Sequence, residues 1–219
     1  MNARISEIEA AVRNRRLIAI VRGFKPEICL KLAEAYLKGG IKLVEVTFNQ
    51  KAPEMWADTA AAIKAIKERF GKDMHVGAGT VLTEEQLSIM EDAGGEYMIT
   101  PNTKAELIRE SVRRDIAAMA GAMTPSEAVT AYEAGSTFVK IFPAGSLGVD
   151  YVKAIRAPLA HIPMLAVGGI DAKNVADFLK VGCLGAGIGG SLCNKEWIQA
   201  GAWDKIAAAA AELVAASNI

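Results

Sequence analysis

Glu27-Ile28-Cys29-Leu30-Lys31-Leu32-Ala33-Glu34-Ala35-Tyr36-Leu37-Lys38 runs into Gly39-Gly40 and then into Lys42-Leu43-Val44-Glu45-Val46-Thr47. Leu30, Ala33 and Leu37 recur at helical spacing, which predicts a helix over Glu27–Lys38 with one apolar stripe. The glycine pair predicts a left-handed stop. The short aliphatic run after it reads as a strand, so helix, stop and strand together make one unit of a parallel α/β sheet.

Working outward, the same rhythm recurs about eight times along the chain. Strands are expected near Leu17–Arg22, Lys42–Thr47, Met74–Gly79, Glu96–Thr100, Ile116–Gly121, Thr137–Phe142, Pro163–Gly168 and Leu184–Ile188. Glu84–Ala93, with Leu87 and Met90 on one stripe and Gly94-Gly95 behind it, repeats the helix-and-stop pattern. A helix from Ile5 to Arg13 opens the chain, and an alanine-rich one from about Asp204 to Ala216 closes it. This count predicts a (β/α)₈ barrel with an N-terminal helix, one domain over residues 1–219, rather than an open doubly wound sheet.

With 25 Lys and Arg against 25 Asp and Glu, the formal net charge is zero. No overall field recruits nucleic acid or an anionic membrane, so neither is expected as a partner. The N-terminus is charged and amphipathic, and no run of apolar residues is long enough to span a bilayer. Cys29, Cys183 and Cys193 offer neither a paired motif nor an even disulfide framework, and are expected to be thiols in a reducing cytosol. His75 and His161 stand far apart and outside any metal-binding spacing, so no metal site is expected.

The chemistry is suggested by a lysine and a glutamate where a barrel should be dry. In Phe138-Val139-Lys140-Ile141-Phe142 alternation puts Val139 and Ile141 on one face and Lys140 on the other. If the aliphatics meet the surrounding helices, Lys140 points inward, where desolvation favours the neutral, nucleophilic amine. By the same parity, Glu45 and Thr47 share the lumen while Val44 and Val46 face out. A carboxyl in such a place acquires a raised pKa suited to shuttling protons, although burial as a mere counter-charge to Lys140 is the competing explanation.

Two glycine-rich turns follow the last two strands, Gly168-Gly169-Ile170-Asp171 and Gly189-Gly190-Ser191. Uncovered N–H groups there, with the Ser191 hydroxyl, suit a phosphate. Arg22 can pair a carboxylate or phosphate oxygen, or else form a solvent-facing salt bridge. Thr80 is either a substrate contact or a helix cap ahead of Glu84 and Glu85, and Thr124-Pro125-Ser126-Glu127 reads as a capping sequence.

Taken in order, Glu45-Val46-Thr47, Gly77-Ala78-Gly79-Thr80-Val81, Thr100-Pro101-Asn102, Met123-Thr124-Pro125-Ser126-Glu127, Lys140-Ile141-Phe142-Pro143-Ala144, Gly168-Gly169-Ile170 and Gly189-Gly190-Ser191 resemble the bacterial 2-keto-3-deoxy-6-phosphogluconate aldolases. That family includes enzymes acting on 4-hydroxy-2-oxoglutarate and the related 6-phosphogalactonate aldolases. The resemblance implies a homotrimeric barrel that splits a keto-acid sugar phosphate into pyruvate and glyceraldehyde 3-phosphate without metal or other cofactor. It implies that Lys140 forms the Schiff base and Glu45 is the acid/base. It also implies that Arg22, Thr80 and Pro101 line the pyruvate end, while Gly168, Gly169, Gly189, Gly190 and Ser191 hold phosphate.

Two positions depart from the gluconate pattern. Asn49, expected at the substrate, stands where many gluconate enzymes place an arginine, and it resembles the galactonate branch. Val167 replaces a hydroxyl-bearing residue. The galactonate epimer is therefore an alternative substrate. A non-catalytic phospho-sugar-binding barrel, or an isomerase, is an alternative of another class, and neither of those requires Lys140.

Overall fold

The computed structural model describes residues 3–218. Its elements, in chain order, are α1 (Ala3–Arg15), β1 (Leu17–Val21), α2 (Pro26–Lys38), β2 (Leu43–Thr47), α3 (Trp56–Phe70), β3 (His75–Gly79), α4 (Glu84–Asp92), β4 (Tyr97–Ile99), α5 (Ala105–Arg113), β5 (Ala117–Ala122), α6 (Pro125–Glu133), β6 (Phe138–Ile141), α7 (Ala144–Leu147), α8 (Val149–Arg156), β7 (Met164–Val167), α9 (Val175–Lys180), β8 (Gly185–Ile188), α10 (Lys195–Gln199) and α11 (Trp203–Ser217). The strands pair in sequence order, all parallel, and β8 returns to β1, closing a (β/α)₈ barrel. None of the described helices is long and apolar enough to cross a membrane.

Local chemistry explains most boundaries. Pro26 occupies the first turn of α2, where its missing N–H is harmless. The expected stops are left-handed at Gly40 and Gly94, with φ of 93° and 84°. A capping box starts α6: Thr124 Oγ1 accepts from the Glu127 amide at 3.3 Å, and Glu127 Oε2 accepts from the Thr124 amide at 2.8 Å. The fourth strand is shorter than the predicted Glu96–Thr100. Glu96 leaves the strand to bind Lys67 at 2.9 Å and His75 at 3.0 Å, and Thr100 turns its hydroxyl to the Asn102 carbonyl.

Strand parity divides the apolar residues into two cores. Val44, Val46, Val139 and Ile141 join the large cluster between sheet and helices. Ile18, Leu43, Tyr97, Met119, Phe138 and Leu165 fill the lumen and merge with Ile8 and Val12 of α1, both fully buried. The opening helix packs against β2, β5 and β8 and so stoppers one end of the barrel. Its amphipathic face therefore belongs to the lumen rather than to the outer layer.

Truncating Ile8 should open a hole under the lumen. Ile8→Ala is expected to lower unfolding stability by roughly 2–4 kcal/mol, read as a shifted urea midpoint with an unchanged slope.

Candidate active site

At the other end of the lumen lies a cavity of about 540 Å³, ample for a small phosphorylated acid. Lys140 on β6 and Glu45 on β2 both line it, at 6% and 2% exposure. Glycines make the room. Lys140 pairs in register with Gly121, whose missing side chain admits the Pro101–Asn102 backbone, and Glu45 pairs with Gly77, whose missing side chain admits Tyr97. A Cβ on Gly79 would collide with both the Glu45 carboxyl and the Thr47 methyl.

No ion pair or hydrogen bond joins the two charged groups among the described residues, so Glu45 is not a direct counter-charge to Lys140. Glu45 Oε2 and Thr47 Oγ1 are buried without a protein partner. Burial pushes the Glu45 carboxyl above its ordinary range, only partly offset by the positive charges of Lys140 and Arg22. Burial likewise pulls the Lys140 ammonium below its ordinary value, with Arg22 adding to the effect and Glu45 opposing it. The Lys140 Nζ stands 5.0 Å from the centroid of the Phe142 ring at the rim. Beneath Glu45 the fully buried Tyr97 hydroxyl donates to the Val44 carbonyl at 2.7 Å, and the phenol's pKa is driven well up by burial and by Glu45.

Arg22 lies one residue beyond β1, exposed, on the cavity wall, and makes no ion pair among the described residues. Thr80 and Pro101 line the same wall. Thr83, not Thr80, caps α4, accepting from the Gln86 amide at 3.2 Å; Thr80 instead ends β3 with φ of 57°. Asn49 is absent from the wall: its Oδ1 accepts from the Lys51 amide at 3.1 Å, bending the β2–α3 loop and keeping the side chain outside.

The glycine turns form the remaining wall. Gly168 and Gly169 adopt φ of 89° and 75°, consecutive left-handed residues that only glycine accepts without strain. The Gly168 carbonyl takes the Gly145 amide at 2.7 Å, which ties this turn to the segment after Lys140. Among the described residues the amides of Gly169, Ile170, Gly190 and Ser191 have no protein acceptor, and all four residues line the cavity, as do Gly168 and Gly189. The arrangement offers an anion several backbone donors that the protein leaves unused.

Sequence reasoning missed Cys193 and gave Asp171 no role, although both line the cavity. Cys193 returns to the wall because the turn after Gly189 folds back, and its Sγ donates to the Ile20 carbonyl at 3.2 Å. Nothing in its local pattern signals that return. The histidines lie elsewhere: His75 against Glu96, and His161 edge-on to Tyr132.

The family model for KDPG and KHG aldolase matches residues 8–209. The 2-dehydro-3-deoxy-6-phosphogalactonate aldolase of Escherichia coli (strain K12) is 38% identical, over 80% of this chain and 83% of that protein. The 2-dehydro-3-deoxy-phosphogluconate aldolase of Pseudoalteromonas atlantica is 34% identical, over 84% and 83% respectively. Among solved structures, the KDPG aldolase of Legionella pneumophila, with pyruvate captured as a covalent carbinolamine, superposes with a TM-score of 0.83 at 26% identity, covering 94% of this chain and 97% of that one.

The two buried charges should destabilise the fold at intermediate pH. The penalty for a buried Glu45 carboxylate is fully present above its raised folded pKa and vanishes below the unfolded value. That for the Lys140 ammonium is fully present below its lowered folded pKa and vanishes above about 10.4. A Lys140→Met/Glu45→Gln double variant is therefore expected to be more stable than the parent near neutrality, with the gap narrowing towards both acid and alkaline pH. Denaturant melts across pH measure it, and a gap that stays constant with pH refutes the assignment of these shifts.

Proposed function

We propose, because this chain belongs to the KDPG and KHG aldolase family, that it is a Schiff-base aldolase that reversibly cleaves 2-dehydro-3-deoxy-6-phosphogluconate to pyruvate and glyceraldehyde 3-phosphate. The observation that carries this reading is a lysine desolvated towards its neutral form inside the barrel, facing a cavity shared with a carboxyl of raised pKa.

Lys140 Nζ adds to the C2 ketone, and loss of water gives an iminium. Glu45 moves the protons between nitrogen and oxygen in that step. The C4 hydroxyl proton then passes to Glu45 as the C3–C4 electron pair flows into the iminium, releasing glyceraldehyde 3-phosphate. Glu45 returns the proton to C3 of the enamine, and hydrolysis frees pyruvate and the amine. Arg22, Thr80 and Pro101 hold the keto-acid end. The amides at Gly168–Gly169 and Gly189–Ser191 hold the phosphate, and Asn49 meets the substrate only if its loop turns inward. Activity on 4-hydroxy-2-oxoglutarate would require only the keto-acid end.

A second reading, the galactonate epimer as substrate, is favoured by Val167, which lines the cavity with no hydroxyl to offer, and by the 38% identity to the E. coli galactonate enzyme. The working unit is a homotrimer; Met123, Tyr132 and Phe142, exposed large apolar residues on the β5–α6–β6 side, supply surface for self-association.

Borohydride reduction in the presence of pyruvate is expected to add one pyruvyl group at Lys140, found by peptide mapping and absent from Lys140→Ala. No adduct would sink the imine mechanism. The ratio of kcat/KM for the gluconate and galactonate epimers then selects the substrate, and light scattering gives the oligomeric state.

A further inference from the structure

Thr80 carries the least favourable backbone on the cavity wall, a left-handed φ of 57° on a residue with a branched Cβ. Such a conformation persists only where the surroundings hold it. Two glutamines that no step of the mechanism uses provide that hold. The Leu82 amide donates to Gln86 Oε1 at 2.7 Å, Gln86 Nε2 donates to Gln50 Oε1 at 2.9 Å, and Gln50 Nε2 donates to the Thr80 carbonyl at 2.7 Å.

The direction of this relay is forced. An amide N–H at Leu82 must meet an oxygen, so Gln86 presents its nitrogen to Gln50, and Gln50 in turn presents its nitrogen to Thr80. Gln86 is fully buried, a place where an aliphatic side chain would pack without needing partners. Its amide instead links the β3–α4 loop, where Thr80 sits, to the β2–α3 loop, where Gln50 sits.

We infer that Gln50 and Gln86 are positioning residues that set the keto-acid end of the site by fixing the Thr80 backbone, and so the place of its side chain on the cavity wall. This rests on the proposal that Thr80 contacts the keto acid. The relay touches neither Lys140 nor the glycine turns, so it acts on keto-acid binding and leaves phosphate binding alone.

Steady-state kinetics of pyruvate condensation with glyceraldehyde 3-phosphate test it. Gln50→Ala, an exposed change that leaves the core intact, is expected to raise the KM for pyruvate about tenfold, the loss of roughly one hydrogen bond. Its kcat should stay within about twofold, and its KM for the aldehyde phosphate should not move. Gln86→Glu keeps the acceptor for Leu82 but, when ionised, has no donor for Gln50. Burial raises the pKa of that carboxyl, so the variant's pyruvate KM should be near the parent's at low and neutral pH, where the protonated carboxyl donates, and rise at alkaline pH as it ionises.

Thr80→Ala should itself raise the pyruvate KM, and Gln50→Ala added to it should do no further harm. Additive effects would overturn the relay. So would a normal pyruvate KM in Gln50→Ala alongside a raised one in Thr80→Ala. A normal KM in Thr80→Ala would instead remove Thr80 from the keto-acid end, and the inference with it.

Discussion

Desolvation of two ionisable groups inside one barrel is the constraint on which the rest of the structure depends. An ammonium and a carboxyl each lose several kcal/mol of hydration on burial, and direct pairing is the usual remedy. Lys140 and Glu45 forgo it, facing one cavity without an ion pair. Each is left poised towards its neutral form, the amine because an ammonium is poorly solvated there and the carboxyl because a carboxylate is. That state suits a nucleophile and a proton carrier better than it suits stability.

The barrel divides its labour along its axis. Below the site the lumen is filled by aromatic and aliphatic side chains and stoppered by α1, which keeps water from reaching the charges from beneath. Above it, glycines replace side chains, giving Glu45 its space at Gly79 and exposing backbone donors at the turns after β7 and β8. The apolar floor supplies the low dielectric, and the glycine-rich roof supplies access and hydrogen-bond donors. The hydrogen bond between Gly145 and Gly168 joins the segment that follows the lysine's strand to the glycine-turn wall.

Much of this was legible from residue order. Parity along Val139-Lys140-Ile141 and Val44-Glu45-Val46 was enough to place the charged groups opposite the aliphatics, and the two apolar clusters of the barrel follow that division. Residues that act through loops were harder to read. Asn49 was expected at the substrate, but its side chain is spent on its own turn; Thr80 was weighed as a cap, a role that belongs to Thr83. Cys193 reaches the wall through a fold-back that no period describes, and Gln50 and Gln86 meet only because two loops converge.

The sequence by itself determined the βα repeat, the stops, and which face of each strand carries charge, because helical and strand periods and glycine conformations are local properties of the chain. Only the tertiary structure decided that Lys140 and Glu45, distant in the chain, would share a lumen without pairing, that α1 would plug it, and which loop residues would reach the cavity. Those outcomes depend on barrel closure and on the hydrogen bonds between neighbouring loops, which bring together groups that no local pattern relates.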